Sequence, residues 1–196
     1  MKKKGKKVLA ILMAALMVVG IMPMDWAATV VSAKTVTANI DISAGLKAGT
    51  VYGDESVVKI SVLEDMNFKE AAAKVDGVDY TGYVQGKTNP KPKEGAIPTE
   101  GAAFKVDAVV DGSVTFITKS ATKVYHFVDA ETLTDTTGTE VPAGSMKFDV
   151  TAGHTYYFYL DGSKICAYGI SYSYEKASDY QKVDIDVTGG LKAAET

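Results

Sequence analysis

The chain has 196 residues, with 21 Lys+Arg against 24 Asp+Glu and a formal net charge of −3. All of its cations are lysines, and the acidic balance excludes the Arg/Lys stripes that grip nucleic acid. Cys166 is the single cysteine, which excludes an intramolecular disulfide and leaves stability to the core.

Residues 1–33 read as a secretory signal peptide. Five lysines fall within residues 1–7, and an unbroken apolar run follows over residues 8–21. That run is short for a bilayer span of ~20 residues. Val31-Ser32-Ala33 then puts small residues where a signal peptidase reads. Cleavage would leave 16 lysines against 23 acidic residues, a net charge of −7. The product is expected to be secreted, extracellular or cell-surface, with no membrane attachment. It retains all 11 tyrosines and loses the one tryptophan, Trp26.

Residues 35–42 and 57–63 alternate apolar and polar as strands do. Residues 64–74, EDMNFKEAAAK, carry some helical propensity but are read as a strand or a single helical turn. Val75-Asp76-Gly77-Val78 follows as a hairpin turn, then YTGYVQ over 80–85 as a strand. Residues 86–101, GKTNPKPKEGAIPTEG, hold three of the five prolines and form a long surface loop of the kind that often carries function. Asp111-Gly112 between 103–110 and 113–118 predicts another hairpin. Residues 123–128 are a strand, 129–144 a Thr/Gly/Asp-rich loop, and 146–150 a strand with Met146, Phe148 and Val150 on one face.

Ala152-Gly153 leads into the most strongly patterned stretch, GHTYYFYLDGSKICAYGISYSY. Tyr156, Phe158 and Leu160 alternate with Tyr157 and Tyr159. Tyr168, Ile170, Tyr172 and Tyr174 alternate with Gly169, Ser171 and Ser173. Asp161-Gly162 between these runs predicts a hairpin whose large-residue face needs a second sheet. The chain thus offers about eight to ten short strands and no long amphipathic helix. The expected fold is all-β: an antiparallel, jelly-roll-like β-sandwich over residues 34–178.

Residues 40–48, IDISAGLKA, return as IDVTGGLKA at 185–193. The echo predicts that 179–196 are a linker and the start of a second, truncated module copy.

Chemistry is sparse. The two histidines are His126, on a strand face with Val124 and Val128, and His154, beside a turn and expected to be solvated. No Ser-His-Asp order with elbow glycines is present, so no catalytic residue is assigned. Cys166 reads as a small packed residue. Oxygen-rich turns could hold a structural Ca²⁺, with Asp41, Asp54, Glu55 and Asp65 as its candidate ligands; the other reading is a solvated charged edge. No other cofactor is expected.

Sugar binding asks for exposed aromatic faces beside amide, hydroxyl and ammonium groups. Tyr80 and Tyr83, three apart on a strand, should point to opposite faces. Gln85, Lys87, Asn89 and Lys91 carry the strand into the long loop, whose three lysines and two glutamates suit a uronic-acid polymer. Tyr157 and Tyr159 are a second candidate platform, with core-edge packing as the other reading.

The segments GLKAGTVYG, ISVLEDM, DYTGYVQGKTNPKP, GAIPTEGAAFKV and AGHTYYFYLDGSKICAYGISY resemble a β-sandwich accessory module of large secreted clostridial enzymes. In that family the module accompanies pectate lyases and pectin or rhamnogalacturonan esterases. The resemblance covers roughly residues 40–174. It implies a non-catalytic, carbohydrate-binding-like, extracellular module, covalently linked to catalytic or repeat modules in a longer parent. Its partner would be a polysaccharide of the plant cell wall, pectin above all. No ligand residues carry over from it. The alternatives are a structural spacer repeat or a fragment of a polysaccharide-degrading enzyme.

Overall fold

The computed structural model describes residues 33–92, 97–119, 123–135 and 144–177. The expected signal peptide, apart from its last residue Ala33, and the echo at 185–193 lie outside the described residues. Ten strands are described: β1 Ala33–Asn39, β2 Val58–Val62, β3 Asn67–Val75, β4 Val78–Gln85, β5 Ala103–Ala108, β6 Gly112–Thr118, β7 Tyr125–Asp129, β8 Gly144–Val150, β9 Thr155–Leu160 and β10 Cys166–Ala177. They form two antiparallel sheets, as expected for a β-sandwich. The larger has the order β3-β4-β10-β6-β8, with β1 also on β10; the smaller is β2-β5-β9-β7.

The alternating apolar residues meet between the layers. Phe104, Phe116, Phe127 and Phe158 are each 0 % exposed. Phe116 and Phe158 stack at 4.2 Å between ring centroids, and so do Phe127 and Phe148. Aromatic pairs of this kind contribute about 0.5–1.5 kcal/mol beyond their burial.

Two of the three predicted hairpins are not hairpins. β5 pairs with β2 and β9, whereas β6 pairs with β10 and β8. Asp111-Gly112 therefore ends an arch between the layers, with Val109 and Val110 both donating backbone N–H to the Val57 carbonyl. β9 and β10 likewise sit in opposite sheets, and the connection between them buries Ile165 completely. The physical reason is the core-facing row on both arms. Such rows face one another across a sandwich better than they lie side by side, and an Asp-Gly turn does not choose between these outcomes. From β5 to β10 each strand joins the opposite sheet from the one before it, which is the jelly-roll-like winding.

Asp76-Gly77 does form a hairpin. Both residues have positive φ, 50° and 83°, and Val75 pairs with Val78 across the two-residue turn. The helix-favouring run EAAAK is drawn into β3 by this pairing, with a register slip between Glu70 and Ala73.

One crowding effect positions the site. β4 pairs with β10 only at Cys166 and Ala167, because β1 takes the same side of β10 from Ser171 onward. The β3–β4 hairpin therefore leaves the sheet and crosses its outer face. At its tip, Asp76 Oδ2 accepts hydrogen bonds from Ser145 N (2.8 Å) and Ser145 Oγ (2.7 Å), at the start of β8.

Candidate functional site

Beneath that hairpin lies a cluster of three tyrosines. Tyr168 meets Tyr80 at 5.8 Å and Tyr83 at 5.4 Å between ring centroids. Two expectations change here. Tyr80 and Tyr83 do not part company, since the folded-over hairpin brings both rings to Tyr168. Tyr168 also does not share the core face of Ile170 and Tyr172. It is the extra residue of a bulge between Ala167 and Gly169, which turns it outward. Gly169 makes room: a Cβ there would sit 3.2 Å from Ile117 Cγ1 and 3.5 Å from Tyr80 Cε1. Burial pushes the Tyr80 hydroxyl up, with the nearby Asp76 charge adding to it. Tyr80 and Tyr83 remain half-buried, and the Lys119 ammonium sits 5.6 Å above the Tyr83 ring.

A lysine-rich strip continues from this cluster. Lys69 Nζ donates to Gln85 Oε1 at 2.6 Å, and Gln85 Nε2 reaches Cys166 Sγ at 2.9 Å. Cys166 is buried as expected. Burial pushes its thiol up, while the charges of Lys119 and Lys69 pull the other way. Two residues past Gln85 the long loop begins, and Glu64 anchors it. Glu64 Oε1 accepts from Lys87 N (2.6 Å) and Thr88 N (2.9 Å), and Oε2 from Thr88 Oγ1 (2.6 Å). Asn89 Nδ2 ties the loop to the Gly162 carbonyl at 2.9 Å. Lys87, Thr88, Asn89, Lys91, Glu100 and Lys164 line an open cleft of about 560 Å³. Lys91 pairs with Glu100 at 2.8 Å, both side chains being well exposed. Lys69, Lys87, Lys119 and Lys164 have no carboxylate partner among the described residues.

Tyr157 and Tyr159 lie on the outer face of the smaller sheet. Tyr159 is 4 % exposed and stacks on His126 at 4.9 Å, so its ring has no open face. Burial pushes its hydroxyl up to about 12. Tyr157 is half-buried against the cluster of Ala103, Val128 and Tyr159.

The four candidate calcium ligands do not converge. Asp41 Oδ1 accepts from Ser43 N and Asp54 Oδ1 from Ser56 N and Oγ, which holds both carboxyls below their usual range. Asp65 pairs with Lys47 at 2.9 Å, and Glu55 lies 3.5 Å from Lys59. Among the described residues the one convergent set is Asp129, Glu131 and His154, with ligand atoms within 4.8 Å of one another. Sequence reading missed it because His154 lies far along the chain from the other two. His154 is also not simply solvated: its Nδ1 is 2.8 Å from Asp129 Oδ2, and this bond raises its pKa. Burial alone would raise the Asp129 carboxyl, but the bonds from His154 and from the Glu131 and Thr132 backbones hold it low.

No protein-family model matches the chain, and no curated protein matches it. Three chains of solved structure do match. One comes from "The complexity of the Ruminococcus flavefaciens cellulosome reflects an expansion in glycan recognition". It has a TM-score of 0.40 and 13 % identity, over 73 % of this chain and 95 % of that one. So distant a likeness leaves the functional question to the chain's own residues.

Proposed function

We propose that this chain is a secreted, non-catalytic accessory module that binds plant cell-wall polysaccharide of the pectin type. It would hold an attached enzyme at its substrate by raising effective concentration, with no chemistry of its own. One observation carries the reading: the gathering of Lys69, Lys87, Lys91, Lys119 and Lys164 beside Gln85, Asn89 and the Tyr83 ring. The chain is acidic overall, so this local reversal of sign suits a polymer with a carboxylate on each sugar. Tyr83 offers an apolar ring edge to sugar C–H groups, and the two amides offer donors and acceptors.

Affinity electrophoresis of the purified protein through gels containing pectin, rhamnogalacturonan, xylan or no polymer tests the reading. Retardation by the uronic-acid polymers is expected, weakening as salt is raised. Lys87→Glu with Lys91→Glu should remove it at unchanged thermal stability. Unchanged migration in every gel would leave a structural spacer as the better account.

A further inference from the structure

Residues 40–48 follow β1 and are themselves part of the core. Ile40, Ile42 and Leu46 are 9 %, 8 % and 0 % exposed within the main apolar cluster. The backbone is seated as well. Ile40 N donates to the Ile170 carbonyl at 2.9 Å, and Leu46 exchanges both backbone hydrogen bonds with Met66 at 2.8 Å. Gly45 has a φ of 77°, and a Cβ there would lie 2.7 Å from the Met66 carbonyl oxygen. Only glycine fits at that point. At the surface, Asp41 accepts from Ser43 N and Lys47 pairs with Asp65.

The echo at 185–193 repeats what this slot needs. Ile185 stands for Ile40, Val187 for Ile42, Gly190 for Gly45 and Leu191 for Leu46. Asp186 and Lys192 likewise match Asp41 and Lys47. The changes to Thr188 and Gly189 fall where Ser43 and Ala44 are exposed. β1 is exposed along nearly its whole length, and residues 178–184, which precede the echo, differ freely from it. The likeness thus tracks burial and the one forced glycine.

The slot beside its own β10 is closed to this segment. Matching 185 to 40 puts 178 where Ala33 stands, and Ala33 faces Ala177 across the ladder. Residues 177 and 178 are covalent neighbours and cannot face each other, since even a tight hairpin keeps about two residues between its arms. The register of β1 is therefore open to 178–193 only on the β10 of another copy.

We infer that residues 178–193 take the place of 33–48 in a second copy of this chain, an exchange of strand and anchor between molecules. The contact joins two different surfaces, so it closes as a reciprocal pair or grows head to tail. The resident segment holds the slot from within its own molecule, at high effective concentration, so the exchange shows when that segment is loosened. The polysaccharide reading plays no part in it.

Sedimentation velocity of the purified full chain, carrying Leu46→Ala to loosen the resident segment, tests the inference. Association that rises with concentration is expected. Adding Gly190→Ala, or separately Leu191→Asp, should weaken it by about tenfold or more. Neither tail change touches a described residue, so the melting temperature of the monomer should not move. Gly190→Ala is the stricter probe: a tail that merely sticks is indifferent to one methyl, whereas the slot has no room for it. Ile42→Ala gives the same comparison if Leu46→Ala does not fold. A loosened chain that stays monomeric at every concentration overturns the inference. So does association that either tail variant leaves unchanged.

Discussion

Two aromatic clusters stand on either side of the larger sheet. Between the layers, Phe104, Phe116, Phe127 and Phe158 are sealed at 0 % exposure. Under the β3–β4 hairpin, Tyr168 is 7 % exposed while Tyr80 and Tyr83 stay half-buried. The difference follows from what covers each. A second sheet excludes water, so a ring there either lacks polar atoms or, like Tyr125 and Tyr172, donates its hydroxyl to a backbone carbonyl. A single hairpin roofs its rings from one side only, so each keeps a hydroxyl where water can reach it. The inner cluster acts through stability; the outer one also answers to what lies on the surface.

Phe158→Ala should mark the extreme of that contrast. Phe158 touches Phe104, Phe116, Phe127, Phe148 and Tyr125, and a cavity there should cost about 3–5 kcal/mol in denaturant unfolding. A loss under 1 kcal/mol would mean that the core closes up around the hole.

Gly169→Val comes next. The first added carbon already crowds Ile117 Cγ1 at 3.2 Å and makes ordinary contact with Tyr80 at 3.5 Å, so it is the two further methyls of valine that press on the ring. The expected cost is about 1–3 kcal/mol, with loss of nuclear Overhauser contacts between Tyr80 and Tyr168. Intact contacts would show that the glycine is not what seats the ring.

Asp76→Ala should be milder still for the whole protein. It frees the hairpin tip from Ser145, so amides of β3 and β4 near the turn should exchange faster while the global midpoint barely moves. Equal acceleration in β9 would erase the distinction between the clusters.

The smallest effect lies outside both clusters, at His154. Its pKa in the folded protein is raised above 6.5 by the bond to Asp129. The stabilisation is therefore fully present below pH 6.5 and is lost as pH rises through the elevated value. Proton NMR should find the His154 midpoint above 6.5, falling in Asp129→Asn; a midpoint unmoved by that change would rule out the pairing as its cause.

Strand positions and the two-layer architecture were legible because alternation survives in nearly every strand. Partner choice was not. Asp76-Gly77, Asp111-Gly112 and Asp161-Gly162 look alike as dipeptides, yet one joins strand neighbours and two mark crossings between the layers. That choice is made by the core rows on the flanking strands and by β1 occupying the side of β10. The candidate site was legible in part. Gln85, Lys87, Asn89 and Lys91 fall at every second residue and do form part of one strip. Lys69, Lys119, Lys164 and Tyr168 come from four other strands or turns and gave no local signal, except that glycine at 169 is the residue expected beside a bulge.

The pairing of β1 with β10 also has a mechanical consequence. Ala33 faces Ala177 across an antiparallel ladder that runs through to Asn39 and Ser171. Tension applied through the two ends of this ladder opens its rungs one after another, as a zipper opens, instead of shearing them together. The described domain should thus give way at low force from its β1 edge, extending first by the length of β1 while the sandwich behind it holds.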